Sequence, residues 1–298
     1  MRLMICIWLC LSLFVSLPVV SAGEDAPPAA PAGDQQAAAA QTPAPPDVTR
    51  QDPELTEIPA PVLGGGEFFR NVSVNEPVYF IFGWRHETGW DAKFQLSFKY
   101  RFMDHGYFGF TQTSVWDLSA DSAPFHDSSY RPSLFYYYND GKKHLSNGYM
   151  FRLMAGFEHE SNGQAGLNSR TINLAFARPA FLFGNRAGDY LIRIEPKLWA
   201  YLGKSENPDI DNYRGYGDLL FVFDAIKDFG FLDGLQISTD LRKGNRNDYG
   251  SVQVDVSYPL GSITYVYVQY FSGWGETILD YKKRLPAQVR AGFMVVRW

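Results

Sequence analysis

The chain of 298 residues has two cysteines, Cys6 and Cys10, and both lie in its first ten positions. Those positions belong to an apolar run, Leu3 to Val20, that follows Arg2 and ends in the small-residue pattern Val20-Ser21-Ala22. This is the layout of a secretory signal at residues 1–22, cleaved after Ala22. The exported chain would then have no thiol, which excludes cysteine nucleophiles, thiolate metal sites and disulfides. Neither sign of charge dominates: the formal net charge is -5, which argues against a nucleic-acid partner. Beyond the signal no apolar run is long enough for a membrane helix.

Large apolar side chains are few in residues 23–66, where "APPAAPAGDQQAAAAQTPAPPD" is Ala/Pro low complexity. Such a stretch buries too little surface to offset its ordering entropy and reads as a disordered spacer. Aromatics, by contrast, are abundant at 16% of the chain. An exported, aromatic-rich chain with no spanning helix has one membrane solution, a closed barrel.

The texture of residues 67–298 agrees. From about Glu76 onward apolar and polar residues alternate with period two. In "KFQLSFKY", Phe94, Leu96, Phe98 and Tyr100 share one face, and Lys93, Gln95, Ser97 and Lys99 the other. "SVQVDVSY" repeats the pattern, and in "DYLIRIEPKLWAYL" Ile192, Ile194 and Leu198 oppose Arg193, Glu195 and Lys197. Turn signals such as "NDGKK", "FGNRAG" and "PLGS" separate these segments. About twelve strand-like segments result, each near the roughly ten residues a tilted strand needs to cross hydrocarbon. A soluble antiparallel sandwich also alternates. Arg193, Glu195, Asp240 and Arg242, set opposite apolar rows, favour an all-β transmembrane antiparallel barrel with a polar interior.

In "YMFRLMAGFEHES", Phe151, Leu153, Ala155, Phe157, His159 and Ser161 fall on the lipid-facing row. A histidine two residues before a serine on one strand face supplies a base beside a weak nucleophile, and that base needs an orienting partner. After the turn "NGQAGLNS" the returning strand brings Asn173 alongside. The same residues also fit a polar rim with no chemistry. His86, His105, His126 and His144 fall in or near turns and read as solvated; Asp209 and Asp211 in "NPDIDN" read as a polar loop or a cation site.

"HESNG" from His159 to Gly163, followed by Ser169-Arg170 and Asn173, resembles the active-site hairpin of the outer membrane phospholipase A family. The segments "FTQTSVWDLSADSAPFHDSSYRPSLF" (110–135), "NPDIDNYRGYGDL" (207–219) and "YVQYFSGWGETILDY" (267–281) resemble family segments in the same order. The resemblance implies a twelve-stranded barrel in the bacterial outer membrane that hydrolyses acyl esters of glycerophospholipids in the outer leaflet, as a calcium-dependent homodimer. It implies Ser161 as nucleophile, His159 as base, Asn173 as the residue orienting the imidazole, and the Gly163 N–H as an oxyanion donor. Calcium contacts carry over to the Ser169 hydroxyl, the Gln164 carbonyl and Ser122 of the partner subunit, and Gln112 to a buried glutamine at the dimer interface. The chain departs from the family at Gly166, where better-known members have an aspartate associated with calcium binding by the monomer. The competing reading is a passive pore or structural barrel, in which outward His159 and Ser161 would have no use.

Overall fold

Apolar side chains lie outside and charged ones inside, the reverse of a soluble sheet. Phe157 and Leu198 are each 59% exposed, while Arg290 is 1% exposed and Lys93, Glu195 and Lys197 are buried. Such a surface is at rest only in lipid. The sandwich alternative is thereby excluded.

The computed structural model describes residues 70–85, 89–140, 149–184 and 188–297, within the unit Asp52–Trp298. The expected signal, the expected spacer, His86 and His144 lie outside the described residues. Thirteen strands follow in order: β1 Val72–Ser73, β2 Val78–Arg85, β3 Gly89–Arg101, β4 Gly106–Asp117, β5 Phe125–Asn139, β6 Tyr149–Ser161, β7 Thr171–Gly184, β8 Tyr190–Gly203, β9 Gly217–Ala225, β10 Gln236–Lys243, β11 Gly250–Pro259, β12 Tyr265–Trp274 and β13 Arg284–Val296. From β2 onward each strand pairs antiparallel with the next, and β13 returns to β2 with Arg290 opposite Gly83, closing a twelve-stranded barrel. Closure leaves no edge with unpaired backbone groups in hydrocarbon.

The short β1 was not foreseen. It pairs with Lys99 and Tyr100 of β3, beyond the part of β3 that β2 covers. Between β1 and β2 the chain kinks at Asn75–Pro77, and the kink swings Glu76 into the lumen, 2.6 Å from Arg131. The Pro77 carbonyl accepts from Gln95 at 2.9 Å.

Several buried charges in the lumen are paired. Arg290 donates to Asp91 at 2.8 and 3.0 Å and pairs with Glu276. Lys93 meets Gln269 at 2.8 Å, and Lys197 meets Glu158 at 2.9 Å. These networks fill the interior down to a polar cavity of about 210 Å³, which weighs against a diffusion channel. At one mouth, Ile278 and Tyr281 from the β12–β13 loop pack on Ile172 and Leu174 of β7 and on Ile210 of a short helix α1, Ile210–Arg214. An apolar plug therefore supports the inner side of β7.

Candidate active site

At that same mouth β6 and β7 are joined by residues 162–170. Their register sets His159 opposite Asn173 and Ser161 opposite Thr171. Directly paired residues share a face, so His159, Ser161 and Asn173 all point outward. The residues between them point inward: Glu160 accepts from Ser129 and from Arg214, each at 2.8 Å, and Ile172 and Leu174 join the plug.

His159 Nδ1 lies 2.8 Å from Asn173 Oδ1. An amide oxygen only accepts, so Nδ1 carries the hydrogen, which in the neutral ring leaves the lone pair on Nε2. Asn173 is itself seated by β8. It pairs with Gly203, and a Cβ at that glycine would lie 3.2 Å from Asn173 Nδ2. A bulge follows, since Leu174 pairs with Tyr201 and Leu202 is skipped; bulges next to sites commonly re-aim a side chain. The Ser161 hydroxyl has no hydrogen-bond partner among the described residues. Serine–histidine bonds often close only around substrate.

A lateral row continues from Ser161 through Tyr130 of β5 and Gln112 of β4 to Leu96 of β3. Gln112, bonded to Ser114 at 3.2 Å, thus shares the outward face with Ser161. A glutamine in a lipid-facing row needs a partner there.

In the connecting loop Gly163 has φ +65°, and its N–H finds no acceptor among the described residues. Likewise the Gln164 carbonyl receives no donor among them. Ser169 donates its hydroxyl hydrogen to Glu206 at 2.7 Å. Glu206 follows β8, in a loop pinned to β7 by Asn207, whose amide donates to the Thr171 carbonyl at 2.8 Å. Among the described residues no cluster of three or more His, Asp or Glu is set to hold a metal. The hydroxyl of Ser169, the carboxylate of Glu206 and the carbonyl of Gln164 are oxygen donors of the kind a hard cation such as Ca²⁺ takes. Ser122 lies on the exposed β4–β5 hairpin, at φ 62°.

One sequence reading needs correction: His126 is not simply solvated, since its Nε2 lies 2.7 Å from Asp280 Oδ2. Asp209 and Asp211 pair with Lys282 and Lys204, as a polar loop would have them. Glu206 escaped the sequence reading, since the Ser169–Glu206 contact joins residues 37 apart and no local spacing signals it.

A family model described as phospholipase A1 matches residues 79–295. The phospholipase A1 of Klebsiella pneumoniae is 32% identical over 203 residues, 64% of this chain and 65% of that protein. The putative phospholipase A1 of Neisseria meningitidis serogroup B is 29% identical over 210 residues, 65% of this chain and 52% of that protein. The chain thus spans between about half and two thirds of the length of these relatives. Among solved structures, the outer membrane phospholipase dimer of Salmonella typhi with bound calcium superimposes with a TM-score of 0.62 at 25% identity, over 76% of this chain and 92% of that one.

Proposed function

The chain belongs to the phospholipase A1 family and is an outer-membrane barrel, and from that premise we propose that it hydrolyses acyl esters of glycerophospholipids and their lyso forms in the outer leaflet, as a calcium-dependent homodimer. The observation that carries this reading is the His159–Asn173 hydrogen bond beside Ser161 on the lipid-facing surface. A pore has no use for a tautomer-fixed imidazole on its outside.

The steps follow from the residues. Ser161 Oγ attacks the ester carbonyl carbon while its proton passes to His159 Nε2. Asn173 holds the ring through Nδ1–H, and the Gly163 N–H donates to the oxyanion as it forms. The imidazolium then protonates the departing glycerol oxygen, leaving an acyl-Ser161. Water, deprotonated by His159, attacks that ester; fatty acid leaves and the Ser161 hydroxyl is restored. Asn173 is neutral and cannot stabilise the imidazolium as a carboxylate would. Gln164, Ser169 and Glu206, with Ser122 contributed from the partner subunit, would hold a calcium ion, which supplies positive field at the oxyanion. Gln112 would lie in the dimer interface. Sharing the ion between subunits makes hydrolysis depend on association, which suits an enzyme embedded in its own substrate.

The test is a fluorophosphonate label followed by peptide mapping, together with fatty-acid release from detergent-dispersed phospholipid. Label on the peptide containing Ser161, with release that a chelator stops, is the expected result. Label elsewhere, or no release, defeats the proposal.

A further inference from the structure

We propose that Asn162 is a positioning residue that holds the oxyanion donor and the calcium-binding loop in one frame; this rests on the hydrolase reading above. Asn162 points inward, is buried, and spans the neck of the loop. Its Nδ2 donates to the Asn168 carbonyl at 2.8 Å. Its Oδ1 accepts from the Gln164 N–H at 3.3 Å and from the Arg170 N–H at 3.0 Å. Its own backbone N–H donates to the Arg170 carbonyl at 3.2 Å.

The loop it spans has no core of its own. No side chain from residue 163 to 169 is buried, and Leu167 is 95% exposed. Packing therefore cannot fix this segment, and hydrogen bonds must. The Asn162 side chain fixes both of its functional ends. By taking the Gln164 N–H, Oδ1 closes a turn that passes over the Gly163 N–H and leaves it without an acceptor, as an oxyanion donor requires. By taking the Arg170 N–H and giving a hydrogen to Asn168, the same amide brackets Ser169 from both sides. Only asparagine has this combination at this length. Aspartate lacks the donor, serine is too short to reach Asn168, and glutamine is one methylene too long.

Without Asn162 the loop would have to order itself when the ion or substrate binds, and that ordering lowers affinity. The Asn162→Ala and Asn162→Ser proteins test this as detergent-solubilised full chains, with three measurements: heat-modifiable gel mobility for the barrel, equilibrium dialysis with radioactive calcium, and the rate at which a fluorophosphonate labels Ser161. Both variants should keep the barrel's mobility and bind calcium about tenfold or more weakly. Labelling should fall by about 10²-fold in Asn162→Ala, the usual cost of one oxyanion donor. It should fall much less in Asn162→Ser, whose hydroxyl still reaches the Gln164 N–H. Wild-type calcium affinity and labelling in Asn162→Ala overturn the proposal. Loss of the barrel's mobility in both variants overturns it too, because Asn162 would then support the fold and not the loop. Failure of the wild-type protein to label at Ser161 defeats the hydrolase reading instead.

Discussion

The imidazole of His159 and the amide of Asn173 meet across one rung of the β6–β7 ladder, 2.8 Å apart, with Ser161 two residues along the same face. Removing each should cost a different amount. Ser161→Ala and His159→Ala remove the proposed nucleophile and the proposed base, and turnover should vanish. Asn173→Ala leaves an imidazole that still reaches Ser161 part of the time, so a residual rate should persist. Fatty-acid release at saturating calcium measures all three. Wild-type turnover in Ser161→Ala would remove the assignment.

Behind Ser161, the Glu160–Arg214 pair ties β6 to α1 across the lumen at 2.8 Å. Both side chains are buried. Arg214→Ala strands the Glu160 carboxylate without its main counter-ion, a change that costs about 3–5 kcal/mol when a buried pair is broken. Denaturant unfolding of the detergent-solubilised barrel checks this. Replacing both residues by apolar ones should restore much of the loss, and no recovery in the double variant would contradict it.

Much of the barrel is legible in the sequence because a strand writes its two faces at a period of two. Phe94, Leu96 and Phe98 against Lys93, Gln95 and Ser97 already separate lipid from lumen. The His159–Ser161 spacing is readable for the same reason. Closure is not local: whether alternating strands form a sandwich or a ring is decided by β13 finding β2. Equally invisible are contacts made by irregular backbone, such as the Asn75–Pro77 kink that carries Glu76 inward, or the loop that brings Glu206 to Ser169. The face of Asn173 depends on register, which two flanking residues on a weakly alternating strand do not fix.

His126 and Asp280 clasp the start of β5, just beyond the hairpin bearing Ser122, to the β12–β13 loop. The Leu279 N–H also donates to Asp127 at 2.9 Å. Burial alone would raise the Asp280 pKa, but the hydrogen bond and charge of His126, aided by Lys283 and Arg85, outweigh it and hold the carboxyl below its ordinary value of 3.8. A depressed carboxyl contributes stability that is present above the unfolded value and lost as pH falls through the folded one. The barrel should therefore lose stability on acidification below about pH 4, and Asp280→Asn should flatten that part of the profile while lowering stability at neutral pH. Thermal unfolding against pH reads both. An unchanged acid limb in Asp280→Asn would show that the clasp contributes nothing.

Calcium affinity rises with the number of charged ligands, and the segment after β8 brings one carboxylate to the β6–β7 loop where the family resemblance alone offers none. With only Ser169, Gln164 and Ser122 the ligands would all be neutral, and the requirement would sit at the weak end, roughly 10⁻⁴–10⁻³ M. Glu206, 2.7 Å from the Ser169 hydroxyl, would add one negative charge to the proposed site. Glu206→Gln should therefore raise the calcium needed for half-maximal hydrolysis, while high calcium restores the wild-type rate because the proposed triad is untouched. Gly166 tests the converse. Its φ is +64°, which aspartate adopts more readily than most residues, and nothing lies within 4 Å of where its Cβ would be. Gly166→Asp should place a second carboxylate at the loop and tighten calcium binding even in monomer isolated by detergent dilution. Equilibrium dialysis of the two variants against wild type decides the matter. Unchanged affinity in both, or hydrolysis that survives exhaustive chelation, would exclude this loop as the ion's binding place.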